Sequence, residues 1–432
     1  MNAEATRPRV LPPSMRGLPP VFWWIWVTLL VNWLGAFAGP MLAFSLTTGR
    51  GYSPAYTGFV ISLLGLGSMA GSWAGGVLAD RVGRRITLAS GHFWTATSMA
   101  LLGLLGQPWA VAAAAFAVGI GTGAVRPAAG AAIADVVRRE DRQRAFSLNY
   151  WAVNAGMAVS AVLAGLMVRH GYVLLFLADA VTTLMCVLVV LVKIPETRPA
   201  SVDRTAQPAR ASAPVRMDRP FLLFVLLTLV FAVVFQQHSS ALPVAIARQG
   251  HSPVTYSLLN GLNAVLVVTL QMPLSRLMRG RSRGGALMAG GLLLGVGMAL
   301  PALADSTAGY FCSVAVWSLG EMLQASAGSA VVTDLAPADQ RGRYQGMYGL
   351  AWSTAAFLGP IGGGWVLDSC GAARLWMLCG ALASAAGIGC ALTLGRNKSF
   401  RTAAVVRVVS GQPRTDSSAE SSRGATIEGN LT

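Results

Sequence analysis

The chain has 432 residues, of which 54% are apolar and only 12% charged, about half the charged share of a soluble domain. That deficit, with a positive mean hydropathy, excludes a soluble enzyme, a disordered chain and a collagen-like fibre. The net charge of +16 would suit nucleic acid only if basic side chains lined one face, and they cluster instead in short segments between apolar runs.

Residues 1–20 form a basic N-terminal tail carrying Arg7, Arg9 and Arg16. The first apolar run then extends from Val21 to about Thr48, with Asn32 as its only strongly polar side chain. Ala36-Phe37-Ala38 resembles a signal-peptide cleavage site, but the run continues well past it and Pro40 follows, so an uncleaved span is expected. Five further runs lie near 56–79, 86–106, 108–134, 145–168 and 172–193, each close to the ~20 residues that cross a hydrocarbon core. A stretch rich in Pro, Arg, Ser and Asp, 195–219, reads as a linker. Six more runs follow near 221–247, 255–278, 285–304, 309–335, 344–367 and 372–395. The tail 396–432 lacks apolar periodicity and reads as disordered. Its first basic residues suit anionic lipid. The expectation is an all-α membrane protein of twelve transmembrane helices in two six-helix bundles, 21–194 and 220–395. Barrel strands would show strict alternation over about ten residues, which is absent.

Charge sets the orientation. With the N-terminus inside, the outside keeps only Arg50, Arg169, Arg248 and Arg374, Arg126 lies within a span, and the other 28 of the 33 Lys and Arg fall on the inner side. This is the positive-inside pattern, with both termini cytoplasmic and the inner (plasma) membrane of a bacterial-type cell as location.

The sequence also repeats at an offset of 199. Ser53-Pro54 falls on Ser252-Pro253, Gly121 on Gly320, Gly165 on Gly364, and Asp135, Arg142 and Arg144 on Asp334, Arg341 and Arg343. One offset serving loops and helices implies two related bundles around a central cavity, joined by a linker that lets them rock. The Asp/Arg loops read as gate elements in which an acid ending one helix and arginines starting the next bridge helix ends.

After the second run stands Gly76-Val77-Leu78-Ala79-Asp80-Arg81-Val82-Gly83-Arg84-Arg85. It resembles the G-x-L-a-D-r-x-G-r-r signature of the major facilitator superfamily, and with the span count and repeat the resemblance covers 21–395. That family implies a solute transporter working by alternating access, closest to bacterial multidrug efflux members. Physically, Gly76 and Gly83 permit close approach and a sharp turn. Asp80 can pair with loop arginines and face a helix N-terminus, as a conformational latch. The second-half counterpart puts Arg279 where the offset predicts an acid, so a one-sided latch is expected.

Ionisable groups within spans are costly and mark function. Arg126, in Gly121-Thr122-Gly123-Ala124-Val125-Arg126-Pro127, resembles the buried arginine of antiporters in this superfamily. Glu321 lies 13 residues before Asp334, roughly 20 Å along a helix and so near mid-membrane. The offset places it opposite Thr122, one turn from Arg126, and the two are expected to share a cavity. Asp179 is a third candidate for proton coupling or substrate contact, with a plain interfacial charge as the other reading. Asn32, Asn154 and Gln237 are uncharged candidates, although such residues also glue membrane helices together. The superfamily's antiporter motif is absent from the fifth span but appears in the eleventh as Gly359-Pro360 and Gly363-Gly364, read as helix-packing positions. The first span lacks the carboxylate of some drug exporters.

Five Cys and four His show no metal-ligand spacing, so neither a metal nor a cofactor is expected. The partners expected are a small-molecule solute, protons and the bilayer, with no nucleic acid and no required oligomer. Proton-coupled export of small amphipathic compounds is the leading reading. Sugar or metabolite transport is the alternative within the class, and a transporter-like membrane sensor the alternative outside it.

Overall fold

The computed structural model describes residues 17–138, 141–198, 219–278, 281–304, 306–335 and 341–396. The two terminal tails, most of the linker and Arg279 lie outside the described residues, and with them the expectations made for those segments. All regular structure among the described residues is helical.

The N-terminal part contains α1 (Pro20–Leu34), α2 (Ala38–Phe44), α3 (Pro54–Arg81), α4 (Arg84–Leu104), α5 (Pro108–Val136), α6 (Arg142–Met167) and α7 (Tyr172–Lys193). The C-terminal part contains α8 (Arg219–Phe235), α9 (Gln237–Arg248), α10 (Pro253–Leu277), α11 (Arg283–Ala299), α12 (Thr307–Leu335), α13 (Arg341–Ser369) and α14 (Ala372–Arg396). Local chemistry explains several starts. Pro54 and Pro108 occupy first-turn positions where no N–H is needed, and the Ser53 hydroxyl accepts from the Tyr56 amide. Gly83, at φ +119°, makes the sharp entry to α4 that a side chain would oppose.

Among the described residues, nine segments are long and apolar enough to cross a membrane, with α8 and α9 counted as one. Neither α1, at 15 residues, nor α4 and α12 belong to the nine, although α4 and α12 have the length. Buried Thr87, His92, Thr95 and Ser98 in α4, and Ser313, Ser318 and Gln324 in α12, make those two more polar.

Two predicted spans are broken. The first run divides at Gly35–Phe37 and ends in a wide turn, Ser45–Gly49, and the run 221–247 divides at Gln236. The first break lies inside continuous apolar sequence, whereas the second falls at the polar run Gln236–Ser240; the groups that hold both come from other helices.

Small residues set the packing. Gly67, Gly71 and Gly75 of α3 lie against the backbone of α5 at Phe116, Ile120 and Ala124. Gly91 of α4 meets Gly121 of α5, and Gly290 of α11 meets Gly320 of α12, so the offset of 199 recurs as the same contact in space. It recurs again between the two parts. Gly58 of α3 abuts Pro360 and Gly364 of α13, while Gly165 of α6 abuts Ser257 of α10, positions that exchange under the offset. These seams close the end of the molecule opposite the arginine-rich loops. Towards the arginine-rich end, a Cβ on Gly76, Gly346 or Gly349 would meet nothing within 4 Å.

Candidate functional site

Glu321 sits near the middle of α12, half-buried. Asn263 of α10 holds it in place, donating from Nδ2 to Oε2 at 3.0 Å and also contacting Ser318 Oγ at 2.9 Å. One turn earlier, buried Trp317 packs on His238 and Phe235, with ring centroids 5.4 and 5.9 Å away, and Trp352 of α13 meets Phe235 at 5.9 Å. The carboxylate is therefore flanked by an aromatic cluster gathered at the α8–α9 break. From the N-terminal part, Tyr150 of α6 comes within electrostatic range of Glu321. Its neighbour Trp151 stacks on Trp26 of α1 at 6.3 Å and 9°.

Arg126 is exposed within α5, on a stripe with Thr122 and Gly130 that turns away from the faces packed on α3 and α4. Among the described residues it forms no ion pair, so the structure does not join Arg126 directly to Glu321. Asn263 and Tyr150, the residues that do accompany Glu321, could not be singled out because a lone Asn or Tyr in a span more often serves packing.

The signature loop forms a dense cluster. Arg84 contacts Asp80 Oδ1 at 3.3 Å, Asp135 Oδ2 at 2.9 Å and the Ala79 carbonyl at 2.7 Å. Glu196, from the chain just after α7, accepts from the backbone amides of Arg84 (2.8 Å) and Arg85 (3.2 Å), capping α4. Burial by itself would raise the Glu196 carboxyl, but its backbone N–H donors outweigh that and hold it below the usual value. Arg198 donates to the Arg81 carbonyl at 2.7 Å, and Arg85 to that of Leu191, so the root of the linker is bound to the loop. Asp80 itself is 75% exposed. Gly76 faces open space, and the close approach expected of it is made by its neighbour Gly75, against Ala124 of α5.

The gate pairs differ from expectation. Asp135 binds Arg84, while Arg142 donates to the carbonyls of Ala134 (2.7 Å) and Val137 (3.3 Å) and Arg144 pairs with Asp141 at 3.4 Å. Asp334 binds Arg283, the offset partner of Arg84. In the first part Arg142 bridges the adjacent helix ends through backbone carbonyls at the end of α5, while Asp135 and Asp334 bind the arginines that start α4 and α11. The side chains of Arg341 and Arg343 lie outside the described residues.

Asp179 is 5% exposed and accepts from the Ala38 amide at 3.2 Å, which corrects the interfacial reading. Gln237 is likewise inside the packing. It donates to the Val233 and Gly359 carbonyls, both at 2.9 Å, against the notch left by Gly363. Gly359 and Gly363 face the α8–α9 break, whereas Pro360 and Gly364 face α3. Asn154 donates to the Tyr150 carbonyl at 2.8 Å, and Asn32 is half-buried near the end of α1.

The Glu321 carboxylate is thus held between helices of a bundle in which, among the described residues, nine segments are long and apolar enough to cross a membrane. The chain belongs to the Major Facilitator Superfamily, whose model matches residues 25–360, and is a membrane transporter of that type. It is 25% identical over 330 residues to the multidrug resistance protein MdtH of Salmonella typhimurium, covering 76% of this chain and 82% of the relative. Its fold resembles that of peptide transporter POT in complex with sulfate (TM-score 0.73, 15% identity, 90% of this chain and 96% of the other). It also resembles a variant of nucleoside transporter NupG (TM-score 0.73, 14% identity, 86% and 99%).

Proposed function

We propose that the protein is a proton-coupled exporter of small amphipathic compounds in a bacterial inner membrane, with two six-helix bundles rocking about a central cavity and both termini cytoplasmic. The observation that carries this reading is Glu321, a carboxylate held between helices whose only described hydrogen-bond donor is the neutral Asn263. A group so placed can release or take up a proton without breaking an ion pair, and each transfer changes the charge of the site. The two access states differ in how that charge is solvated, so protonation shifts their populations. Arg126 supplies the opposing positive charge from the other bundle. The aromatic cluster of Phe235, Trp317 and Trp352 offers an apolar surface to a solute. Export of drug-like compounds is favoured by the likeness to MdtH.

In this reading the structure is inward-open. The Gly58–Gly364 and Gly165–Ser257 seams close the outer side, and the signature loop, with Asp80 turned to its own Arg84, is a released latch. Uptake of a panel of cationic and neutral dyes into everted vesicles, with and without an uncoupler, tests it. Wild-type protein should drive uncoupler-sensitive transport, and Glu321→Gln, at equal membrane level, should lose at least tenfold of it. Wild-type rates in Glu321→Gln would remove the carboxylate from the mechanism.

A further inference from the structure

The break between α1 and α2 rests on a saddle built by a single turn of α7. Gly35 lies so close to Thr182 that a Cβ there would fall 2.0 Å from its hydroxyl. Asp179, one turn earlier, points its carboxylate at the break and takes the first free amide of α2, Ala38. Thr183 adds a side-chain hydrogen bond to the same carboxylate. Further along, Cys186 Sγ contacts the Thr28 carbonyl at 3.4 Å, so α7 follows α1 below the break as well. The carboxylate thus fixes where α1 stops and the angle at which α2 leaves.

That angle matters because α2 is part of the seal. Phe37, Met41, Ala43 and Phe44 enter one buried cluster with Leu242 and Ile246 of α9 and Tyr256 of α10, and Phe44 meets the Tyr256 ring at 5.8 Å. The second part of the chain solves the same problem differently. Its break at Gln236 is held by the Gln237 amide on α13, and the offset places Leu378 where the first part has Asp179.

We propose that Asp179 is a positioning residue of the transport cycle: by accepting from Ala38 it sets the break in the first membrane helix and thereby the α2–α9 seal. Turnover depends on it through the closing of that seal, and solute binding does not.

The test uses the full chain with Cys312→Ser and Cys370→Ser, which removes the more accessible thiols, and Ser45→Cys as a reporter just beyond α2, where Ser45 is 1% exposed. Reaction with a membrane-impermeant maleimide should be slow in this background and at least tenfold faster with Asp179→Ala. It should return to within twofold with Asp179→Asn, whose amide oxygen still accepts from Ala38. In dye transport, Asp179→Ala should lower turnover about tenfold with KM within twofold. This transport arm rests on the alternating-access reading. The labelling arm uses neither solute nor gradient, so the two can fail separately. Labelling of Asp179→Ala at the parent rate, or of Asp179→Asn as fast as Asp179→Ala, overturns the proposal. If Asp179→Ala does not reach the membrane, Asp179→Ser, one bond too short to reach Ala38, takes its place with the same expectations.

Discussion

The two parts of the chain share a skeleton and differ in their chemistry. Both use a glycine pair to bring two helices together, Gly91 with Gly121 and Gly290 with Gly320, and both staple a loop with an Arg–Asp bridge, Arg84–Asp135 and Arg283–Asp334. Among the described residues, only the first caps that loop with a carboxylate, Glu196, and only the first holds its broken helix with an acid. The second carries the carboxylate of the candidate site, while the arginine stands on the first. What the two parts share is close backbone packing, which tolerates no added atoms. What diverged are single side chains that bear charge.

If that division is right, shared features should respond equally and unshared ones should not. The largest effects belong to the glycine pairs. A Cβ on Gly121 would lie 2.3 Å from the Thr95 hydroxyl, and one on Gly320 would lie 2.5 Å from the Leu294 amide nitrogen. Gly121→Val and Gly320→Val should each cost about 3 kcal/mol and sharply reduce folded protein recovered by gel filtration. Tolerance of either one would break the equivalence. Asp135→Asn and Asp334→Asn should each lower thermal stability by about 1 kcal/mol, because these bridges lie partly in water. Double-mutant cycles with Arg84→Gln and Arg283→Gln measure the coupling, and a value of zero in one part alone would show that the staples are not alike.

The smallest effect is confined to the first part. Glu196 titrates below its ordinary value, so the stability it confers is full above that value, about 4.3, and is lost as pH falls through the lower folded value. Thermal stability of the wild type should therefore decline more steeply below about pH 4.3 than that of Glu196→Gln. Parallel curves would mean that the cap does not depend on charge.

Much of the fold was legible because apolar runs report helices directly. The reading of 172–193 matches α7, and that of 108–134 differs from α5 by two residues at one end. The break at Gly35–Phe37 was not legible, since Asp179, which holds it, lies 141 residues from its partner; the second break is marked by the polar run Gln236–Ser240, but its anchor Gly359, 122 residues from Gln237, is not. At the candidate site, Glu321 stood out as a charge in an apolar run, but Asn263, 58 residues away, is only one amide among several. The partner of Asp135 was not legible for a related reason. Arg142 is near Asp135 in sequence, yet the start of α4 brings Arg84 across to it.

The central claim is that Glu321 exchanges a proton with each turnover. Proteoliposomes loaded with a pH-sensitive dye, given a transported solute without an imposed gradient, measure this directly. The account predicts solute-dependent proton movement by the wild type and at least a tenfold loss in Glu321→Gln, with solute binding retained. Equal proton movement by both proteins would contradict it.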